Sequence, residues 1–324
     1  MNGRSILGGL ALVVLGLLAW ELRWVLLVLF GAVVLAVALD VPITWLRRVV
    51  PLNRPVALLV VLLALLLVGG GLGQLLLPEL AEQVQQFTQL VPDVALRLGR
   101  LASQVSWIPD LERQLMAFGT WDRLQPLGAQ VLGFAGGAAN STIQLLLMAL
   151  LAILLALDPR SHQRLVVAMT PRFWRPEMQG LLAECRQALG GWLAGMTISA
   201  CTVFLLTWGG LALLQVPLAL LSALVCGLLT FVPTIGPTAA TLLPLAVALL
   251  VSPAKVVQVL VLRLVLQNGE AFLLTPILLS RTVNLLPTVA LMAQLSLGAL
   301  LGLPGLLLAL PLVVVLQVIC EQVV

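Results

Sequence analysis

Charge is scarce in this 324-residue chain, where 9% of residues are Asp, Glu, Lys or Arg against about 25% in ordinary soluble domains. From Gln187 to Gly269 the sequence runs 83 residues with only two charged side chains, Lys255 and Arg263. No soluble core needs so long a run without solvated groups, but a bilayer does, because a charge at its centre is costly. Histidine is scarcer still: His162 stands alone, which excludes a polyhistidine metal site. The four cysteines, Cys185, Cys201, Cys226 and Cys320, form no Cys-x-x-Cys pair, and three lie in apolar segments. They read as small buried hydrophobes rather than disulfides or metal ligands. Enzyme signatures are missing too: there is no His-Glu-x-x-His, no Gly-x-Ser-x-Gly and no phosphate-cradling Gly-x-x-x-x-Gly-Lys. The expectation is a protein that is not an enzyme, with no catalytic residues, metal or cofactor.

What is present is apolar: 61% of residues are hydrophobic, and the mean hydropathy is +1.14. The chain reads as an all-α polytopic membrane protein with about eight transmembrane helices or equivalents. A crossing helix needs about 20 apolar residues. Candidates are 5–20, 24–40, 56–77, 139–157, 192–214 and 256–279. The first, with one arginine before an apolar run, resembles a signal peptide but meets no small-x-small cleavage site, so it reads as a retained helix. Two further apolar stretches, 218–251 and 286–320, are broken at Pro233-Thr234-Ile235-Gly236-Pro237 and at Gly302-Leu303-Pro304-Gly305.

Two polar interludes set the topology. Residues 78–138 carry six acids against four arginines, with Leu80, Val84, Phe87 and Val91 at helical spacing, and the prolines Pro78, Pro92, Pro109 and Pro126 read as helix punctuation. These helices either pack on each other or form a subunit-contact arm. Residues 158–191 hold five arginines against three acids. One crossing separates the two interludes, so the basic one is expected in the cytoplasm and the other outside. Counting back places Arg4, Arg47, Arg48 and Arg54 on the cytoplasmic side as well, and both termini with them. The net charge of +4 lies largely in such loops, so nucleic acid is not an expected partner.

The C-terminal half repeats a pattern. Helix 192–214 precedes one broken stretch and helix 256–279 precedes the other, and the two hairpins begin on opposite sides of the membrane. That is the form of an inverted repeat, unless it is a coincidence of hydropathy. Whether the hairpins are re-entrant or cross fully is left open by the charges.

Few polar groups sit inside this half. Arg263, Gln267 and Glu270 fall at i, i+4 and i+7, on one helix face, with Asn268 adjacent and Pro276 beyond. Such a cluster is either a salt bridge locking helices or a solute-binding face. The segment with Pro233, Thr234, Gly236 and Pro237 is either a tight interhelical turn or a re-entrant tip with exposed backbone. Gly302, Pro304 and Gly305 suit close helix packing or a moving hairpin tip.

These segments, in order, carry a resemblance. Leu157-Asp158-Pro159-Arg160, Leu189-Gly190-Gly191-Trp192, Gln215-Val216-Pro217-Leu218-Ala219, Val232-Pro233-Thr234-Ile235-Gly236-Pro237, Gln267-x-x-Glu270 with Pro276, and Gly302-x-Pro304-Gly305 with Pro311 span 158–311. Together the set resembles the autoinducer-2 exporter family of bacterial permeases. The chain departs from it in having Leu286 where members often carry a histidine, and Thr234 where many have an aromatic. The resemblance implies a permease of the bacterial plasma membrane without a cofactor, a homo-oligomer for which a pentamer is one expectation.

The reading is then a secondary transporter or exporter of a small polar, autoinducer-2-like solute. A sodium(lithium)/proton antiporter and a non-transporting membrane scaffold are the alternatives. Arg263, Gln267, Asn268, Glu270, Pro233, Thr234, Gly236 and Pro237 form the candidate substrate site, with Glu270 as gating or proton-coupling carboxylate and Arg263 pairing it or attracting an anion. Pro276, Gly302, Pro304 and Gly305 are the candidate hinges. Residues 1–77 make N-terminal transmembrane helices, 78–138 an extracytoplasmic amphipathic region, 139–157 a crossing helix, 158–191 a basic cytoplasmic linker with an amphipathic helix, and 192–324 the transport core.

Overall fold

The computed structural model describes residues 17–18, 20–103, 139–232, 235–274 and 286–323. The elements in order are α1 (Arg23–Val49), α2 (Arg54–Ser103), α3 (Ala139–Leu157), α4 (Pro159–Met169), a 3-10 turn (Arg172–Trp174), α5 (Arg175–Leu213), α6 (Ala219–Leu229), α7 (Ile235–Val251), α8 (Pro253–Gly269) and α9 (Pro287–Val323). A π turn, Glu270–Leu274, extends α8. No strand occurs among the described residues. Four helical stretches there are long and apolar enough to cross a membrane, or up to five if Ile143–Leu157 and α4 count as one bent span. Leu66, Leu67 and Leu75 on α2 are more than two-thirds exposed. Such surface suits hydrocarbon and not water. This is an all-α polytopic membrane protein.

Two compact units are present. Described residues within 1–61, 139–190 and 283–324 form the first, and those within 62–138 and 191–282 form the second.

In the first unit α1 packs along α3 and touches α9. A side chain at Gly31 would meet the Met148 Sδ at 2.5 Å and the Leu308 Cδ1 at 3.3 Å, so glycine sets how closely α1 and its neighbours approach. At one end of this unit a carboxylate gathers two guanidiniums. Asp40, whose side chain is 12% exposed, accepts from Arg54 Nη2 at 2.5 Å on Oδ1. Its Oδ2 accepts from Arg186 Nε at 3.0 Å and from Arg186 Nη2 as well. Arg54 Nε donates in turn to the Ala156 carbonyl at 2.8 Å. The late turns of α1, the start of α2, the end of α3 and Arg186 of α5 are thereby tied together.

Immediately after that tie, Leu157-Asp158-Pro159-Arg160 turns the chain by 90° from α3 into α4. Asp158 caps α4 by accepting from the Ser161 N–H at 3.2 Å and its hydroxyl at 2.5 Å, and Pro159 opens the first turn. Those two donors hold the Asp158 carboxyl below the ordinary carboxylate range. The sign is that of a depressed acid: the cap is in full force above that range and weakens as pH falls through the lowered value.

Still in the first unit, α9 is one hairpin and not one rod. Gly302 has φ 66° and ψ −149°, a conformation that side-chain-bearing residues resist. A methyl at Gly298 would stand 3.7 Å from the Leu306 Cβ, whereas eight residues of straight helix rise about 12 Å. The chain has folded back on itself. Any Cβ at Gly305 would collide with the Leu297 carbonyl, so only glycine permits this closeness.

The second unit holds the other hairpin, α6 and α7. The Cys226 thiol donates to the Ala240 carbonyl across it at 3.5 Å. Here too a glycine lies against the preceding half, Gly236 under the Leu229 carbonyl. At 11 residues, α6 is about 16 Å long, too short to cross about 30 Å of hydrocarbon unaided. The distal part of α2 packs on this unit's core, with Phe87 and Leu90 against Leu211, Val216, Leu218, Val247, Ala248 and Val259. Its Gln83 Oε1 accepts from the Leu221 N–H at 2.8 Å, capping α6, and Arg97 Nη1 donates to the Leu249 carbonyl at 2.9 Å. The turn from α5 into α6 places Gln215 and Leu218 at positive φ, and Lys255 Nζ donates to its Leu214 carbonyl at 2.5 Å.

One expectation about local structure changes. Pro78 and Pro92 do not punctuate: α2 runs 50 residues straight through both. Each proline removes a single helical hydrogen bond, and the apolar face that carries Phe87 and Leu90 onto the core keeps the helix going. Pro109 and Pro126 lie outside the described residues, as does nearly all of the candidate crossing 5–20.

Replacing Asp40 by Asn should lower stability by about 2 kcal/mol, because two guanidiniums then share no counter-charge; partial exposure keeps the loss below that of a fully buried pair. Asp40→Asn/Arg186→Gln should recover part of it. Thermal unfolding in detergent measures both, and an unchanged midpoint for Asp40→Asn would rule out the tie as a stabilising element.

Candidate functional site

The site is built on three elements of the second unit, α5, α7 and α8. Ser252 caps α8 by accepting from the Lys255 N–H at 3.2 Å, with Pro253 opening the helix. From that start, Val259 and Arg263 fall one turn apart on the same face, and both are buried.

Arg263 is 3% exposed. Its Nε donates to Thr241 Oγ1 at 3.2 Å, its Nη1 to Thr207 Oγ1 at 3.2 Å, and its Nη2 to the Pro237 carbonyl at 3.3 Å. All three partners are neutral. The same Pro237 carbonyl accepts from Thr241 Oγ1 at 2.8 Å, so hydroxyl and guanidinium share one acceptor. Among the described residues no carboxylate forms an ion pair with Arg263. A guanidinium in an apolar helix bundle without counter-charge keeps a strong appetite for an anion or a dipole.

Glu270 opens the π turn two helical turns later, and is half-buried. Its Oε1 accepts from the Ser199 hydroxyl at 2.6 Å. Ser199 and Thr207 lie eight residues apart on α5, with buried Val203 between, and meet Glu270 and Arg263 respectively. The two helices therefore run antiparallel with one polar contact at each end of a two-turn stretch. Wide π turns are frequent where helices carry function.

The sequence-derived residues come together only in part. Arg263 and Pro237 touch, and Gly236 packs just before Pro237. Gln267 is half-buried between the two charges along α8. Asn268 is exposed and donates back to the Leu264 carbonyl at 2.7 Å, satisfying its own helix. Of the two readings of Arg263, pairing Glu270 or attracting an anion, the structure does not show the pair: each charge is held by its own hydroxyl partner on α5. Pro233, Thr234 and Pro276 lie outside the described residues. Gly302, Pro304 and Gly305 belong to the first unit and make the α9 hairpin.

Three residues of this network were not singled out from sequence: Ser199, Thr207 and Thr241. Their signal was faint, since a hydroxyl in an apolar helix is commonly satisfied by the carbonyl one turn back. Thr197 and Thr202 do just that, onto Leu193 and Ile198.

Against known proteins, the family model described as "AI-2E family transporter" matches residues 10–324. The chain belongs to the AI-2E transporter family. Relatives carry cautious names. "Putative transport protein sll0063" of Synechocystis sp. (strain ATCC 27184 / PCC 6803 / Kazusa) is 28% identical over 305 residues, 88% of this chain and 74% of that one. "Putative transport protein YhhT" of Escherichia coli (strain K12) is 26% identical over 298 residues, 90% of this chain and 82% of its own. "Putative transport protein YrrI" of Bacillus subtilis (strain 168) is 26% identical over 161 residues, half of this chain and 46% of its own length.

If the two charges are independent, a double-mutant cycle on Arg263→Met and Glu270→Gln should show coupling below about 0.5 kcal/mol, while Ser199→Ala with Glu270→Gln shows about 1–2 kcal/mol. Unfolding in detergent supplies the values, and a large Arg263–Glu270 coupling would reinstate the direct ion pair.

Proposed function

We propose that this protein is a secondary transporter of the bacterial plasma membrane that exports a small polar, autoinducer-2-like solute. The observation that carries the reading is Arg263, buried in apolar helices with only neutral partners and two helical turns from Glu270. A scaffold gains little from such a residue, whereas a permease needs polar groups whose partners can be exchanged. In this reading Arg263 and Gln267 meet the solute's acceptors, Glu270 its hydroxyls or a proton, and Ser199, Thr207 and Thr241 hold the site in shape. Pro233, Thr234, Gly236, Pro237 and Asn268 stay in the proposal as the hairpin tip and rim, with Pro276 as a hinge beside the site. Gly302, Pro304 and Gly305 are the hinge of the second hairpin.

Residues 192–324 are the transport core of this proposal, with 78–138 outside the cell and 158–191 in the cytoplasm with both termini. The Asp40 tie supports that arrangement, since it joins Arg54 and Arg186 at one end of the first unit. A homo-oligomer completes it. A sodium(lithium)/proton antiporter is favoured by one observation, the half-buried Glu270 with a single hydroxyl on one oxygen.

Proteoliposomes loaded with a pH-sensitive dye test this, wild type beside Glu270→Gln. Export predicts autoinducer-2 flux in the wild type that falls about tenfold or more in Glu270→Gln, the loss of one transition-state hydrogen bond to a charged group. Proton movement on adding sodium or lithium, lost in the variant, would replace the exporter with the antiporter. No flux of either kind would leave the scaffold.

A further inference from the structure

Gln294 is 1% exposed, yet among the described residues neither its Oε1 nor its Nε2 has a hydrogen-bond partner. It lies in the first unit, on the first half of the α9 hairpin, and on one buried helix face with Ala290 and Leu301. Ala290 and Gly298 stand one turn before and one turn after it, so its flanks along the helix are small. The hairpin folds back close by, with Gly298 beside Leu306 of the returning half.

An amide so placed is expensive. Leaving either end unpaired away from water costs on the order of 1–3 kcal/mol, and hydrocarbon offers no solvent to relieve it. A methionine would fill the same space without that cost. The amide's presence therefore calls for a guest.

The chemistry of the guest follows from both ends being vacant. A cation would satisfy Oε1 but give Nε2 no acceptor, and an anion would satisfy Nε2 but give Oε1 no donor. A hydroxyl can donate to Oε1 and accept from Nε2, and a molecule bearing two vicinal hydroxyls can do both at once. We propose that Gln294 is a substrate-recognition residue of the α9 hairpin, reading the hydroxyl groups of a small neutral solute. This rests on the transport reading and narrows it to hydroxylated solutes over bare ions.

The test uses the full chain purified in detergent, with thermal unfolding followed against autoinducer-2 and erythritol. Sodium and lithium chloride serve as cation probes, and trehalose controls for general stabilisation by sugars. The wild type should be stabilised saturably by a hydroxylated probe, and not by sodium, lithium or trehalose. Gln294→Met should unfold at the wild-type temperature or above, yet bind that probe at least about tenfold more weakly, the loss of one to two hydrogen bonds. Gln294→Asn, which keeps donor and acceptor on a shorter arm, should fall between.

An unchanged probe affinity in Gln294→Met overturns the proposal, as does a wild type that responds to neither hydroxylated probe. So does a sodium or lithium response that Gln294→Met removes. If Gln294→Met does not fold, wild-type affinity in Gln294→Asn counts against the proposal and weakened affinity supports it. The two readings fail separately. Loss of flux in Glu270→Gln with intact probe binding in Gln294→Met refutes this inference alone. Intact flux in Glu270→Gln and Arg263→Met, with probe binding lost in Gln294→Met, refutes only the site proposed on α8.

Discussion

Hydrocarbon has no water to take up a polar group that the protein leaves unpaired, and this constraint shapes every polar contact described above. Asp40 answers it by sharing one carboxylate between two arginines, so that each guanidinium has an ionic hydrogen bond. Arg263 answers it with two hydroxyls and a carbonyl, which meet its hydrogen bonds but not its charge. Gln294 does not answer it at all. The three form a series, from closed to open. A closed cluster suits a joint that holds helices together, and an open one suits a place where something else comes and goes.

The hairpins follow the same constraint in backbone form. Turning a helix back on itself exposes carbonyls at the tip, and the only way to bury them is to bring the halves very close. Glycine makes this possible at both sites, Gly236 against the Leu229 carbonyl and Gly305 against the Leu297 carbonyl. The two contacts are alike, a glycine against a carbonyl of the preceding half, each in its own unit. That closeness explains why glycine sits in both breaks. Glycine admits the neighbouring backbone in each, at Gly236 and at Gly305.

Much of the class was legible in the sequence. The run from Gln187 to Gly269 demands a bilayer, and the ordered motifs from Asp158 to Pro311 are enough to suggest the family. The Asp158-Pro159 pair was read only as part of that set, and the structure shows it to be a cap followed by a first-turn proline. What was not legible depended on partners distant in sequence. Asp40 looked like the flank of a crossing because its arginines are 14 and 146 residues away. Ser199 and Thr207 were indistinguishable from Thr197 and Thr202, since local sequence does not say which hydroxyl turns toward its own helix. Pro78 and Pro92 misled for a related reason: a proline's local penalty is visible in sequence, and the packing that overrides it is not. Arg263 and Glu270 shared a face as their spacing requires, but spacing on one helix says nothing about what the neighbouring helix offers.

That last point bears on mechanism. Had Arg263 and Glu270 paired, the cluster would be neutral, and admitting a solute would mean breaking a buried ion pair, a cost of several kcal/mol. Held apart, each charge can exchange its partner singly. In the proposed reading Ser199 leaves Glu270 and is replaced by a solute hydroxyl, one hydrogen bond lost for one gained, and no ion pair has to break. On the same reading, separation of the charges along α8 lowers the barrier to loading and leaves the guanidinium's field on the site throughout. A carboxylate that binds by exchange, beside a fixed positive charge, is better suited to a polar solute with several hydroxyls than to a bare cation, which that same field would repel.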